Sequence, residues 1–223
     1  MPVGRRGGRP RLPVGMPWPT CPEGSPSPFL LRLDCAVLPR VPDLALPADG
    51  TLLFFLGQEG AQDVCGIENE KAYARVVYVP AGVETVEGEY VLPAGIAREP
   101  FLTPEHEMYA AVQAELPDWL DRSAEWLCDT QIRLLRDMPH RKEMSALVEQ
   151  LWPERQRRAR SLPRAERMVA LYEEAQRVMR EWVPLAQFGV PDEEFVNARF
   201  LIRHEDLAAR RFGRALSFCE FTE

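Results

Sequence analysis

The stretch from Gly7 to Pro39, GGRPRLPVGMPWPTCPEGSPSPFLLRLDCAVLP, constrains the fold more than any other part of the chain. Its glycine pair leads into Pro10, Pro13, Pro17 and Pro19, interleaved with Leu12, Met16 and Trp18, and a second proline cluster opens directly onto the apolar run Phe29 to Leu33. Proline fixes its own φ, lacks an N–H and pushes the preceding residue into the extended region, so this segment cannot be helical. It is expected to run from Arg9 to Pro19 as a polyproline-like arm with turns at its glycines and few ladder bonds of its own. Such an arm is ordered only if Leu12, Met16 and Trp18 are buried on something else, and the strand it feeds is the natural support.

The chain has 223 residues, 46% hydrophobic and 27% charged, enough for a full globular core. A net charge of -7 and a pI near 5.2 argue against general affinity for nucleic acid or an anionic membrane. MPVGRRGGRP is basic without an apolar stretch behind it, and nowhere do about eighteen apolar residues run together, so neither a signal peptide nor a membrane span is expected. The expected compartment is the cytoplasm. Cys21, Cys35, Cys65, Cys128 and Cys219 are widely separated and form no Cys-x-x-Cys pair, which fits reduced, buried thiols and no metal site.

Short apolar runs bounded by turn residues dominate the first hundred positions. Phe29 to Leu33, Thr51 to Leu56 and Ala74 to Val79 read as strands. TLLFFL is apolar on both faces and belongs in the middle of a sheet, whereas Glu84 to Val91 reads as an acidic edge strand. Gln58 to Glu70 reads as a polar loop. From Thr103 to Trp182 the signals turn helical. Thr103-Pro104-Glu105 supplies an N-cap hydroxyl, a proline at the first helical position and an acid in the first turn, and so predicts a helix start. Further helices are expected over Pro117 to Met138, Arg141 to Trp152 and Ser161 to Trp182. After Trp182 the pattern reads strand, turn, strand, short helix from His204 to Arg210, and a final strand from Ala215 to Phe221. In both the first and last parts, an apolar run with a central polar residue, Arg32 or Gln187, passes through a Pro and Asp turn into a phenylalanine-bearing strand, a weak internal repeat.

GGRPRLPVGMPWPTC, followed by PFLLRLDCAVLP and LPADGTLLFFLG, resembles the opening of the YwqG-like family, a bacterial domain of unknown function. ARFLIRHEDLAARRFGRALSF resembles its closing strand, helix and strand, and WVPLAQFG matches at Gln187 but departs at Gly189, where the family has an acid. The likeness covers residues 5 to 80 and 182 to 221; in the helical middle, Lys142-Glu143 follow His140-Arg141 where the family has a glycine pair. The resemblance implies an α+β fold with antiparallel sheets from two related halves. Together with the local reading it gives one domain over residues 1–223, with an N-terminal proline-rich arm and residues 103–181 as a helical insertion.

No catalytic constellation stands out. His106 lies between Glu105 and Glu107, and His204 precedes Glu205 and Asp206, but adjacent helical residues point different ways and no His-x-x-x-His spacing occurs. These acids read as first-turn complements to the helix dipole. There is no Gly-x-Ser-x-Gly elbow and no phosphate loop. The basic run Arg155 to Arg167 contains no aromatic residue and reads as a solvated connection, so nucleic-acid binding is not expected. A binding site is expected where the arm crosses the two sheet halves, lined by Arg11, Trp18, Arg32, Asp34 and Gln187. Arg32 and Asp34 sit two apart on one strand, and a mutual ion pair is the plainer reading of both. The function read from these residues is a non-enzymatic, cofactor-free module binding another protein or peptide, of accessory or immunity type. The alternative is an auxiliary biosynthetic enzyme acting on a small molecule or peptide, with Asp34, His140 or Glu105 as acid or base. Oligomeric state is left open.

Overall fold

The computed structural model describes residues 1–41, 44–57, 71–89, 104–111, 161–189 and 196–221. The chain divides into two compact units, one made of Met1–Val112 with Pro184–Glu223 and the other of Gln113–Val183. In chain order the strands are β1 (Gly4–Arg6), β2 (Arg11–Pro13), β3 (Phe29–Asp34), β4 (Thr51–Leu56), β5 (Ala74–Val79), β6 (Thr85–Glu87), β7 (His106–Met108), β8 (Trp182–Gly189), β9 (Val196–Arg203) and β10 (Leu216–Phe221). Helix α1 spans Arg164–Glu181 and α2 spans His204–Ala208. The helices expected over 117–138 and 141–152, the loop 58–70, and Trp119, Trp126, His140, Trp152, Cys65 and Cys128 lie outside the described residues.

The second unit contributes α1. Its first turn follows Pro163, whose carbonyl accepts the Arg167 N–H at 2.9 Å. Glu166 near the start and Arg180 near the end complement the helix dipole, and Arg177 donates to Glu181 one turn on at 2.6 Å.

The first unit is an α+β arrangement of sheets. A five-stranded sheet has the order β5-β4-β3-β1-β7 with antiparallel neighbours, β8, β9 and β10 form a three-stranded sheet in the order β10-β9-β8, and β2 pairs antiparallel with β6. Strands β3, β4 and β5 lie side by side in chain order, as do β8, β9 and β10, and the positions matched in the sequence repeat, Arg32 and Gln187, fall on the first strand of each trio. β4 is interior, as its two apolar faces require: Leu52, Leu53, Phe54, Phe55 and Leu56 are all essentially inaccessible. Alternation sends Phe54 to one face, where it meets Phe200 of β9 edge to face at 5.3 Å, with Leu201, Ile202 and Leu207 buried in the same unit. On the other face Leu53 and Phe55 join Leu12, Phe29 and Val79 in a buried cluster, against which Met16, Trp18 and Val77 pack.

Two expectations are corrected. The segment from Arg9 to Pro19 is not polyproline-like throughout, because Arg11, Leu12 and Pro13 form the short strand β2 and pair with Glu87, Val86 and Thr85. The proline at the end of the strand and the turn after it are compatible with so short a ladder. The acidic strand is an edge strand as expected, described over Thr85–Glu87, and β2 is its partner. Residues 106–108 are strand β7, not the first turn of a helix. Here β1 overrides the capping signal: Glu107 pairs opposite Arg5, and Glu105 also bonds to that arginine, a charge match along an otherwise open strand that a helix start would lack.

Cys21 and Cys35 are free and buried. Burial pushes the Cys21 thiol up, and burial with Asp34 nearby pushes Cys35 up to about 11. Both should therefore be silent to a disulfide reagent in the native protein near pH 8, since the thiolate is the reactive form. The same titration in denaturant without reductant should count five thiols, and rapid native modification of Cys35 would contradict this placement.

Candidate functional site

The sheet register gathers charge beside the apolar cluster. Arg5 on β1 stands directly opposite Arg32 on β3, Arg32 opposite Leu53 on β4, and Leu53 opposite Val77 on β5, so all four share one face. Asp34 lies two residues along from Arg32 on that face, opposite Thr51, which faces Val79. Over these residues, flanked by Arg11 and Thr85 of the β2–β6 pair, lies a cavity of about 320 Å³. Pro2 and Gly4 complete its lining.

Two arginines directly opposite each other on neighbouring strands repel, and Glu105 removes the conflict. One of its carboxylate oxygens bonds to Arg5 and the other lies 3.8 Å from Arg32, while Glu107 reaches Arg5 at 3.9 Å. Glu105 has room because residue 8 is glycine: a Cβ there would come within 2.6 Å of its carboxylate, and Gly8 adopts a φ of +67° that disfavours other residues. The hydrogen bond from Arg5 holds the Glu105 carboxyl below its usual range and, reciprocally, raises the Arg5 guanidinium. Because the folded value is depressed, the stabilisation from Glu105 is present above its ordinary value of 4.5 and is lost as pH falls further through the folded value. In acid denaturation the Glu105→Gln protein should lose less stability than wild type below about pH 4.5. Parallel curves for the two proteins would contradict this.

Arg11 is fixed by Thr85: Nε donates to Oγ1 at 3.1 Å and Nη2 to the carbonyl at 2.6 Å. The plainer expectation for Arg32 and Asp34 is corrected, since they do not form a mutual ion pair. Arg32 turns to Glu105, and an Asp34 oxygen accepts the Ala36 N–H at 2.9 Å, closing the turn after β3. Of the residues the sequence assigned to a site, Arg11, Arg32 and Asp34 come together in the cavity lining. Trp18 does not line it. Its ring meets Phe55 edge to face at 5.7 Å, its indole N–H donates to the Ser27 carbonyl at 2.7 Å, and it belongs to the core periphery. Gln187 is on β8, with its side chain outside those described.

His204 opens α2 and is exposed, whereas the neighbouring Asp206 is buried and accepts from Arg211 at 2.6 Å, with Arg214 at 3.4 Å. This acid clamps the turn after α2 and is structural. Arg5, Thr51 and Thr85 escaped sequence reasoning. The three-residue β1 is too short to show a period, and only its long-range pairing with β3 and β7 brings Arg5 to the site.

A family model described as a domain of unknown function, DUF1963, matches residues 4–220. The chain belongs to that family. No curated protein matches the chain. No described helix is long and apolar enough to cross a membrane.

Proposed function

We propose that this DUF1963 protein is a non-enzymatic module, of accessory or immunity type, that captures a protein or peptide through the cavity beside β2 and β6. The likeness of its ends to YwqG-like proteins and its DUF1963 membership are read as one kinship, and residues 103–181 as an insertion in a single cytoplasmic bacterial domain. The observation that carries the binding reading is the chemistry of the lining. Its cations are the guanidiniums of Arg5, Arg11 and Arg32, a chemistry of fixed charge and forked donors, not of proton transfer. Its one carboxylate, Asp34, is tied to a backbone N–H. Glu105, the nearest alternative acid or base, is held ionised by Arg5, which weakens it as a base and disfavours the auxiliary-enzyme alternative.

Affinity capture from native lysate with wild type and with Arg11→Ala tests the reading. A protein retained by wild type and lost from a folded Arg11→Ala variant supports it. Equal capture by both would show that the bound surface lies elsewhere.

A further inference from the structure

We infer that the cavity receives the free carboxylate end of a peptide; the inference rests on the binding reading above and names the chemistry of what is bound. Arg32 carries it. Its side chain is 28% exposed, yet among the described residues its five donors make no hydrogen bond and only the 3.8 Å ion pair to Glu105, which is beyond hydrogen-bond length. A planar fork left open on a cavity wall matches a carboxylate through two parallel N–H···O bonds, a geometry an amide carbonyl cannot reproduce.

Asp34 narrows the ligand. It shares a strand face with Arg32, spends one oxygen on the Ala36 N–H, and makes no ion pair among the described residues. Any anion on Arg32 is repelled by this carboxylate and by Glu105, a doubly charged phosphate more than a singly charged carboxylate, and a phosphate dianion has no donor to offset the repulsion. The last residue of a peptide instead carries an N–H next to its carboxylate, so it can donate to Asp34 while its acid group lies on Arg32. Leu53 and Val79, both buried in the core cluster, form the closed floor behind these polar groups. Arg11 adds a further positive charge at the rim, oriented by Thr85. About 320 Å³ is at the low end for ligand pockets, the scale of one or two residues and not of a folded loop.

Titration of the full chain with acetyl-Gly-Leu as the free acid, and with the same dipeptide as its C-terminal amide, tests this by calorimetry or NMR. The acid is expected to bind on the order of 10- to 100-fold more tightly than the amide. Arg32→Gln, verified as folded by its melt, should reduce the acid's affinity to that of the amide. Equal affinities, no binding of the acid in the millimolar range, or tighter binding of free leucine than of the acetylated acid would each overturn the inference. A partner lost from Arg11→Ala while the acid goes unbound overturns this inference alone and leaves the binding reading standing. Acid bound by a chain whose partner capture survives Arg11→Ala supports this inference and overturns that reading instead.

Discussion

Replacing Trp18 by alanine should destabilise the first unit by about 3 kcal/mol, the low end of the range for truncating a large aromatic, because the ring is only partly buried. The loss has three sources. The edge-to-face contact with Phe55 goes, the Ser27 carbonyl loses its indole donor, and the floor over Gly88 is emptied. A Cβ on Gly88 would come within 2.9 Å of the Trp18 ring, so the two are closely fitted. Because Trp18, Met16 and Leu12 pack on one cluster with Phe55 and Val79, the loss should also loosen β2 and with it Arg11. In a domain of this size the melting temperature should fall by about 6 to 12 °C. A shift below about 1 °C would mean that the proline-rich segment is not held by its tryptophan.

Phe54→Ala should cost more, about 3 to 5 kcal/mol, since the side chain is wholly buried and its cavity would open between β4 and β9. Phe54 and Phe200 come from opposite ends of the chain and meet at 5.3 Å within one unit, so this pair ties the closing segment to the opening one. A double-mutant cycle with Phe200→Ala should return a coupling of about 0.5 to 1.5 kcal/mol. Strict additivity would show that the two segments do not pack through these rings.

The strands were legible because each carries its own signal. Phe29 to Leu33, Thr51 to Leu56 and Ala74 to Val79 are bounded by turn residues, and each is a strand within one residue of its expected limits. The doubly apolar TLLFFL announced an interior strand because only burial on both faces suits such a run. The closing strand, helix and strand were legible for the same reason. What escaped was pairing. Nothing local in GRR announces that β1 will lie between β3 and β7, and that pairing both turns the helix signal of Pro104-Glu105 into a strand and gives Arg32 a partner other than Asp34. Arg11, Arg32 and Asp34 could be named as site candidates because the proline-rich segment was expected to cross the sheet beside the strand it feeds. Arg5 could not, since its role exists only in the register. Trp18 was given two roles from sequence, anchor and lining, and its position beside Phe55 matches only the first.

The claim that the cavity is the surface through which this protein binds is tested most directly by photo-crosslinking from its rim. Pro2 lines the cavity, whereas Val169 is exposed on α1 in the other unit. With a benzophenone amino acid at each position in turn, the account predicts an adduct from position 2 that is abolished by adding Arg32→Gln, and none from position 169. An adduct from position 169, or one from position 2 indifferent to Arg32→Gln, would contradict it.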